Sequence, residues 1–531
     1  MVYSLWLAEA RQRLRALFFS DRRSSPRSKN IRFSFLFRQS RFYFLLTQGL
    51  HISTLNFRYN KNKGRFPVRV TFFLISCISV TLCQFAAALS FEESRHLLSR
   101  TGFTPTFLEI EALADLSREQ AVQQILDSAT SPNVLAVPPS ITKVKRPPGK
   151  GASEKQQRAY REQLQESASE LQSWWLKQMI TTTTPFSDQM TLFWHNHFVS
   201  SLQKVKFPFL MYQQHALLRK NAVGNFEFLV HAISKDPAMT LYLDNQSNRK
   251  SAPNENYARE LMELFTLGEG HYDEQDIKQA ARAFTGWQVD KENGLFNVNQ
   301  RQHDSGEKTF FGKTGNFDGE DIVDLIFSAK ADQVALLITG KLWRHFVSLT
   351  NDDTEIARLA HVFEKNNFQL QPLLKAMFLS DSFWAQMDQP NLIKSPVDFV
   401  VGTQRAFSLE VTEASLVRQM GRNMGQMLFA PPNVKGWPGG ESWITSSTLI
   451  ARAQLMNQVT RAIEIQGKEN SKLMMTPYAH ISGYSIAQWQ SLLLGKQAFT
   501  YELPELPESP PLSMYATELT QMLQDPIYQL K

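Results

Sequence analysis

From Phe91 onward the chain repeats one instruction. A small polar residue precedes acids, and apolar residues then recur at helical spacing, as in "SFEESRHLLSRTGF" and "SREQAVQQILDSA". A serine there can accept from the free N–H groups that open a helix, and acids in the first turn favour its positive end. The pattern predicts a mainly α protein, a large multi-helix body over residues 91–465. A C-terminal extension, partly irregular, follows over residues 466–531. One break is clear. "WQVDKENGLFNVNQRQHDSGEKTFFGKTGNFDGED" alternates polar and apolar residues and carries the turn signals ENG, DSG and KTGN, which predicts a small β-hairpin insertion around residues 288–318. Residues 131–154, rich in Pro, Lys and Gly, read as a linker-like loop.

The ends of the chain differ sharply in charge. The formal net charge is +7, yet residues 1–68 hold 14 Lys/Arg against Glu9 and Asp21, which leaves −5 on the remainder. A basic face for nucleic acid is therefore not indicated outside the leader. The leader runs into "RVTFFLISCISVTLCQFAAALS", in which Arg69 precedes an apolar stretch and Ala86-Ala87-Ala88 supply small residues for a signal peptidase. The expectation is a signal peptide over residues 68–88, cleaved near Ala88, that delivers the protein to the periplasm or outside the cell. A start codon near Val68 or Val70, with residues 1–67 as upstream sequence, accounts for the signal's odd position. An uncleaved anchor over residues 70–89 and an organelle transit peptide are the alternatives. After cleavage no stable membrane span is expected. Cys77 and Cys83 both lie inside the signal, so the mature chain has neither disulfides nor thiolate chemistry.

"FSDQMTLFWHNHFVSS" is apolar almost all round its helical wheel, which describes a buried helix. Its His195 and His197 stand about 200° apart on a helix, so a regular turn cannot aim both at one metal. "NENYARELMEL" sets Glu255, Arg259 and Glu263 at i, i+4, i+8, with Asn256 and Glu260 beside them. One reading is a solvated face of ion pairs. The other is a polar face packed on the buried histidines, which need partners, and this second reading is the one the sequence predicts. "HDSGEK" adds His303 and Asp304 on a turn, and "KGWPGGESW" adds Trp437 and Trp443, either stacked on sugars or pinning their loop. Nucleotide loops, the G-x-S-x-G elbow, H-E-x-x-H and EF-hand patterns are all missing.

In order, "HLLSRTGF", "FWHNHF", "DPAMTLYLDN", "PNENYARELMELFTLGEGHYDEQDI", "ARAFTGW", "HDSGEKTFFG", "IKSPVDFVVG" and "PPNVKGWPGG" resemble an uncharacterised, mostly secreted bacterial family, domain of unknown function 1800. The likeness covers roughly residues 91–460. It implies export and a secreted sulfatase-like protein encoded nearby as a partner, and it brings no assigned reaction or cofactor. It also marks His195, His197, Asp244, Asn245, Asn254, Glu255, Asn256, Arg259, Glu260, His303, Asp304 and Lys308 as motif residues. Of these, His195, His197, Asn254, Glu255, Arg259, Glu260, His303 and Asp304 are the catalytic candidates.

Three functions stay open on these grounds. The protein is an envelope accessory protein acting with the sulfatase-like partner, or a periplasmic hydrolase or redox enzyme built on a buried His/Glu/Asn/Asp cluster. The third is a polysaccharide-binding protein using Trp437 and Trp443. The cofactor is unknown, with a divalent metal as one option for the enzyme.

Overall fold

The cap signals become helices where the sequence puts them. A computed structural model describes residues 88–131, 135–142, 147–149, 151–290, 293–411, 418, 421–465, 473–475, 483–495, 501–502 and 512–531. The leader and the apolar segment before Ala88 lie outside them, and so do the expected signal peptide and its alternatives. Leu89, one residue further on, is buried and donates its N–H to Leu116 O at 2.8 Å. Among the described residues no helix is long and apolar enough to cross a membrane.

Ser90 caps α1 (Phe91–Thr101) in a reciprocal box with Glu93. Ser153 does the same with Gln156 for the 28-residue α2 (Glu154–Thr181), which carries Trp174 and Trp175 into the interior. Pro185 opens α3 (Pro185–His197), where its missing N–H costs nothing. Every residue of α3 from Phe186 to His195 is buried, as its wheel demands. Its polar side chains must then find partners inside. Asp188 meets Arg219 of α4 (Pro208–Lys220), and Gln189 reaches Asp398 and the carbonyl of Gly102.

The candidate motif forms α5 (Asn256–Glu260), which widens into a π-helical turn over Leu261–Thr266. After α6 (Glu274–Ala283) the chain makes the one departure from helix that its alternation predicts. Strands β1 (Trp287–Val289) and β2 (Phe296–Val298) pair antiparallel with Trp287 opposite Val298. They are followed by β3 (Lys308–Phe310) and β4 (Lys313–Gly315), with Lys308 opposite Gly315. Helices then resume, among them α7 (Ala331–Phe346), α8 (Pro396–Ala406) and α9 (Ser446–Ile465).

Two features have no forerunner in the sequence reading. Leu409–Val411 pairs antiparallel with Leu473–Met475, and three-residue strands are too short to show an alternation. Within residues 466–531, Ile486–Leu493 and Leu512–Gln524 are helices, and the second packs on α9. Tyr528 beyond them is fully buried, its hydroxyl 2.7 Å from the Thr403 hydroxyl on α8. The described part of the linker-like stretch is also docked. Ile141 is buried, and Leu135 N–H donates to Gln178 of α2 at 2.6 Å.

Candidate functional site

The π-helical turn sets the geometry of one wall of a pocket. Wider winding sends the N–H groups of Leu267 and Gly268 back to Met262 O, at 2.8 and 3.1 Å. The carbonyls of Leu264 and Phe265, near the negative end of the helix, are left to accept from elsewhere. Lys341 of α7 donates to Leu264 O at 2.7 Å, and His197 Nε2 lies 3.1 Å from Phe265 O. A carbonyl only accepts, so that ring nitrogen carries the proton. His197 Nδ1 is then an acceptor, and Lys341 Nζ sits 3.1 Å from it. Burial holds His197 well below its usual range. Burial, helped by nearby Arg344, brings the Lys341 ammonium down to about 8. The third ammonium N–H of Lys341 has no partner among the described residues, and the side chain lines the pocket.

That pocket has a volume of about 320 Å³ and lies between the C-terminal ends of α3 and α7, the segment leading into α8, and the loop through Trp437. Four cations line it, Lys341, Arg344, Lys435 and Lys531, against one carboxylate, Asp398. Asp398 is spoken for. It caps α8 with Ser395, accepts from Gln189, and has Lys531 Nζ 3.2 Å from Oδ2. Burial alone would raise its carboxyl, but Lys531 and the hydrogen bonds from Gln189 and Ser395 outweigh this and hold it below the ordinary carboxylate range. Lys531 Nζ makes no hydrogen bond among the described residues despite that ion pair, and neither does His345 Nε2. Burial, reinforced by Lys531, keeps His345 neutral.

The loop is clamped by α3. Asn196 Oδ1 accepts from Trp437 N–H at 2.7 Å. Gly436 has φ +82°, and a Cβ there would stand 2.3 Å from Asn196 Oδ1, so both the turn and the close approach need glycine. Trp437 and Trp443 are only 4% and 6% exposed. They pin the loop and offer little ring face for stacking.

The sequence candidates are dispersed. His197 lines the pocket. His195, on the other side of α3, sits among Trp175, Phe429 and Trp437, with Nε2 unpartnered among the described residues and burial lowering its pKa to about 3. The predicted packing of α5 on α3 is half right and is corrected in its chemistry. α3 meets the motif at the π turn, where Phe265 offers His197 a backbone carbonyl, and the carboxylates stay at or near the surface. Glu255 and Arg259 pair at 3.2 Å with side chains 37% and 35% exposed, and Arg259 also binds Glu274. Glu260 and Glu263 are half-buried, and burial raises the Glu260 carboxyl. Glu255→Ala should therefore change the unfolding free energy by less than about 1 kcal/mol. A urea midpoint shift equivalent to several kcal/mol would restore the buried-face reading.

Asp244, Asn245 and Asn254 belong to the turns ahead of α5, and Asn256 is its first residue. Asn254 N–H bonds Asn248 Oδ1 at 2.9 Å, Asn256 Nδ2 bonds Leu243 O at 3.0 Å, and Asn248 bonds Asn245. Asp244, at φ 58°, pairs with Lys204. His303, Asp304 and Lys308 staple the hairpins. His303 Nδ1 lies 2.9 Å from Thr285 O, Asp304 pairs with Arg282, and Lys308 Nζ donates to the carbonyls of Asp304 and Gly306. None of these lines the pocket.

Sequence reasoning passed over Asn196, Lys341, Arg344, His345, Asp398, Lys435 and Lys531. One signal was available, since "KLWRH" puts Lys341, Arg344 and His345 at i, i+3, i+4 on one helical face. Among the described residues one set of donors is close enough to hold a metal ion. It is Glu227, His231 and Asp324, with one donor atom from each within 4.8 Å of the others, and it lies outside the pocket.

Fold and site together describe a helical protein with a cationic pocket roofed by a glycine-rich loop. The chain belongs to the family described as "Protein of unknown function (DUF1800)", whose pattern matches residues 96–529. No curated protein and no solved structure matches it.

Proposed function

We propose that the protein recognises an anionic ligand, an acidic saccharide unit of an envelope polymer, in the pocket beneath the Trp437 loop. The observation that carries this is the charge count at the opening, four cations around a single carboxylate already engaged by Lys531. The volume suits one sugar ring with its charged substituent, at the low end of ligand pockets. The apolar run before Ala86-Ala87-Ala88 supports an envelope location. Support for a sulfatase-like partner comes from the family resemblance alone. A catalytic role has one point in its favour, the Lys341–His197 contact at the pocket wall, which could move a proton to or from a bound ligand.

Calorimetric titration with an acidic oligosaccharide and its neutral counterpart tests the reading. The acidic one should bind, and Arg344→Glu or Lys435→Glu, both at the pocket rim, should weaken it at least tenfold without unfolding the protein. Equal affinity for the two sugars, or indifference to both charge reversals, would sink it.

A further inference from the structure

The wall behind the pocket is as unusual as the pocket. Leu392, Ile393 and Ser395 line the opening, while Lys394 between them points inward, donates Nζ to Tyr528 O at 2.9 Å and lies over the Tyr528 ring. Arg452 of α9 is fully buried and donates to Lys394 O at 2.8 Å and to Gln529 Oε1, with Phe399 against its guanidinium. Arg100 of α1, also fully buried, donates to Val347 O at 2.9 Å, just past the pocket-lining end of α7. The Nε atoms of Arg100 and Arg452 have no partner among the described residues. No carboxylate pairs with Lys394, Arg100 or Arg452 among those residues.

A buried cation without a counter-ion is costly, because neutral carbonyls replace only part of its hydration. Here Arg100 and Arg452 are two such cations behind a pocket that already carries a surplus, burial holds Lys394 well below the usual ammonium range, and Asp398 is the buried acid that acts on Lys394 and Arg452. A singly charged ligand would leave most of this field unanswered. The donors that face the pocket also suit a group with several equivalent oxygens. Arg344 and Lys435 bring charged N–H groups to the pocket rim and Lys341 to its wall, while Lys531 Nζ and His345 Nε2 are buried without a hydrogen bond among the described residues.

Building on the anionic-ligand reading, we infer that the group seated against this wall is a dianionic phosphate monoester, as on a phosphorylated sugar, and not a singly charged carboxylate or sulfate ester. Its terminal oxygens accept from Lys341, Arg344 and Lys435, and its second charge answers the cations of the second layer. Free phosphate shares that chemistry and is a separate arm of the test.

The experiment compares glucose 6-phosphate, glucose 6-sulfate, a methyl phosphodiester of glucose and inorganic phosphate by calorimetry at pH 7.5, where a phosphate monoester holds close to two charges. The sulfate ester has nearly the same shape with one charge fewer. The monoester should bind at least tenfold more tightly than the sulfate ester or the diester. Arg100→Met and Arg452→Met remove charge behind the wall without touching its lining, and each should cut that preference at least threefold. Inorganic phosphate binding as tightly as the sugar phosphate would make the free ion the ligand and overturn the ester assignment. Equal binding of monoester and sulfate ester, weakened in both cases by Lys435→Glu, would overturn the dianion and leave the acidic-ligand reading standing. Binding of none of the four would remove both. Should the two methionine variants fail to fold, the wild-type ratio of monoester to sulfate ester decides alone.

Discussion

Acidification from pH 6.5 to 5.5 should cost this protein several kcal/mol of stability. His96, His195, His197, His215 and His345 are all kept neutral by burial, with His96 and His195 lowered to about 3. A histidine depressed in the fold titrates near its ordinary value of about 6.5 once the chain unfolds. Below that pH the unfolded chain takes up a proton that the folded one refuses, so stability falls with pH until the folded pKa is reached. Each such group contributes about 1.4 kcal/mol per pH unit. Two buried acids work the other way. Asp236 is raised to about 7 by burial, and burial raises Asp188 as well, so both gain a proton more readily in the fold. Five histidines against Asp236 leave a net loss of roughly 4 kcal/mol between pH 6.5 and 5.5. Urea midpoints at pH 7.0, 6.0 and 5.5 should drop in step. A flat profile would mean that these imidazoles are not buried as described.

Asp188→Ala or Arg219→Ala should destabilise by about 3–5 kcal/mol, since either strands a charge inside the helical body. The pair joins α3 to α4 with side chains 0% and 3% exposed. Burial pushes the Asp188 carboxyl up, with Arg219 opposing. The double change Asp188→Leu with Arg219→Met should recover much of the loss, because apolar groups of similar volume leave no charge unpaired. Urea unfolding of the three variants decides it. Single variants within about 1 kcal/mol of wild type would show that water reaches the pair.

The helical body was legible because its signals are local. Ser90 with Glu93 and Ser117 with Gln120 form the expected caps, and the all-round apolarity of α3 correctly places it inside. The break into β structure between residues 287 and 315 was legible for the same reason, though the one hairpin expected there proved to be two. The pocket was not. Asp398 and Lys531 are 133 positions apart in the chain, and no window of sequence joins them. The α5 motif misled in an instructive way. Its carboxylates drew attention as partners for His197, while the partner proved to be the Phe265 main chain, to which side-chain chemistry gives no clue. His303, Asp304 and Lys308 looked like loop chemistry and serve as staples, because a polar turn that satisfies itself has the same composition as a reactive one.

The π turn over Leu261–Thr266 carries a lesson about inheritance. The oxygens it presents to Lys341 and His197 belong to Leu264 and Phe265, and every amino acid owns the same oxygen. Selection that protects this contact therefore does not act on the letters at those two positions. It acts on spacing, on the single surplus residue by which a π turn exceeds an α turn. Relatives could drift freely in the identity of those residues and keep the contact, whereas losing one residue from the stretch would rewind the helix and aim both oxygens elsewhere. In this part of the molecule the heritable trait is a length.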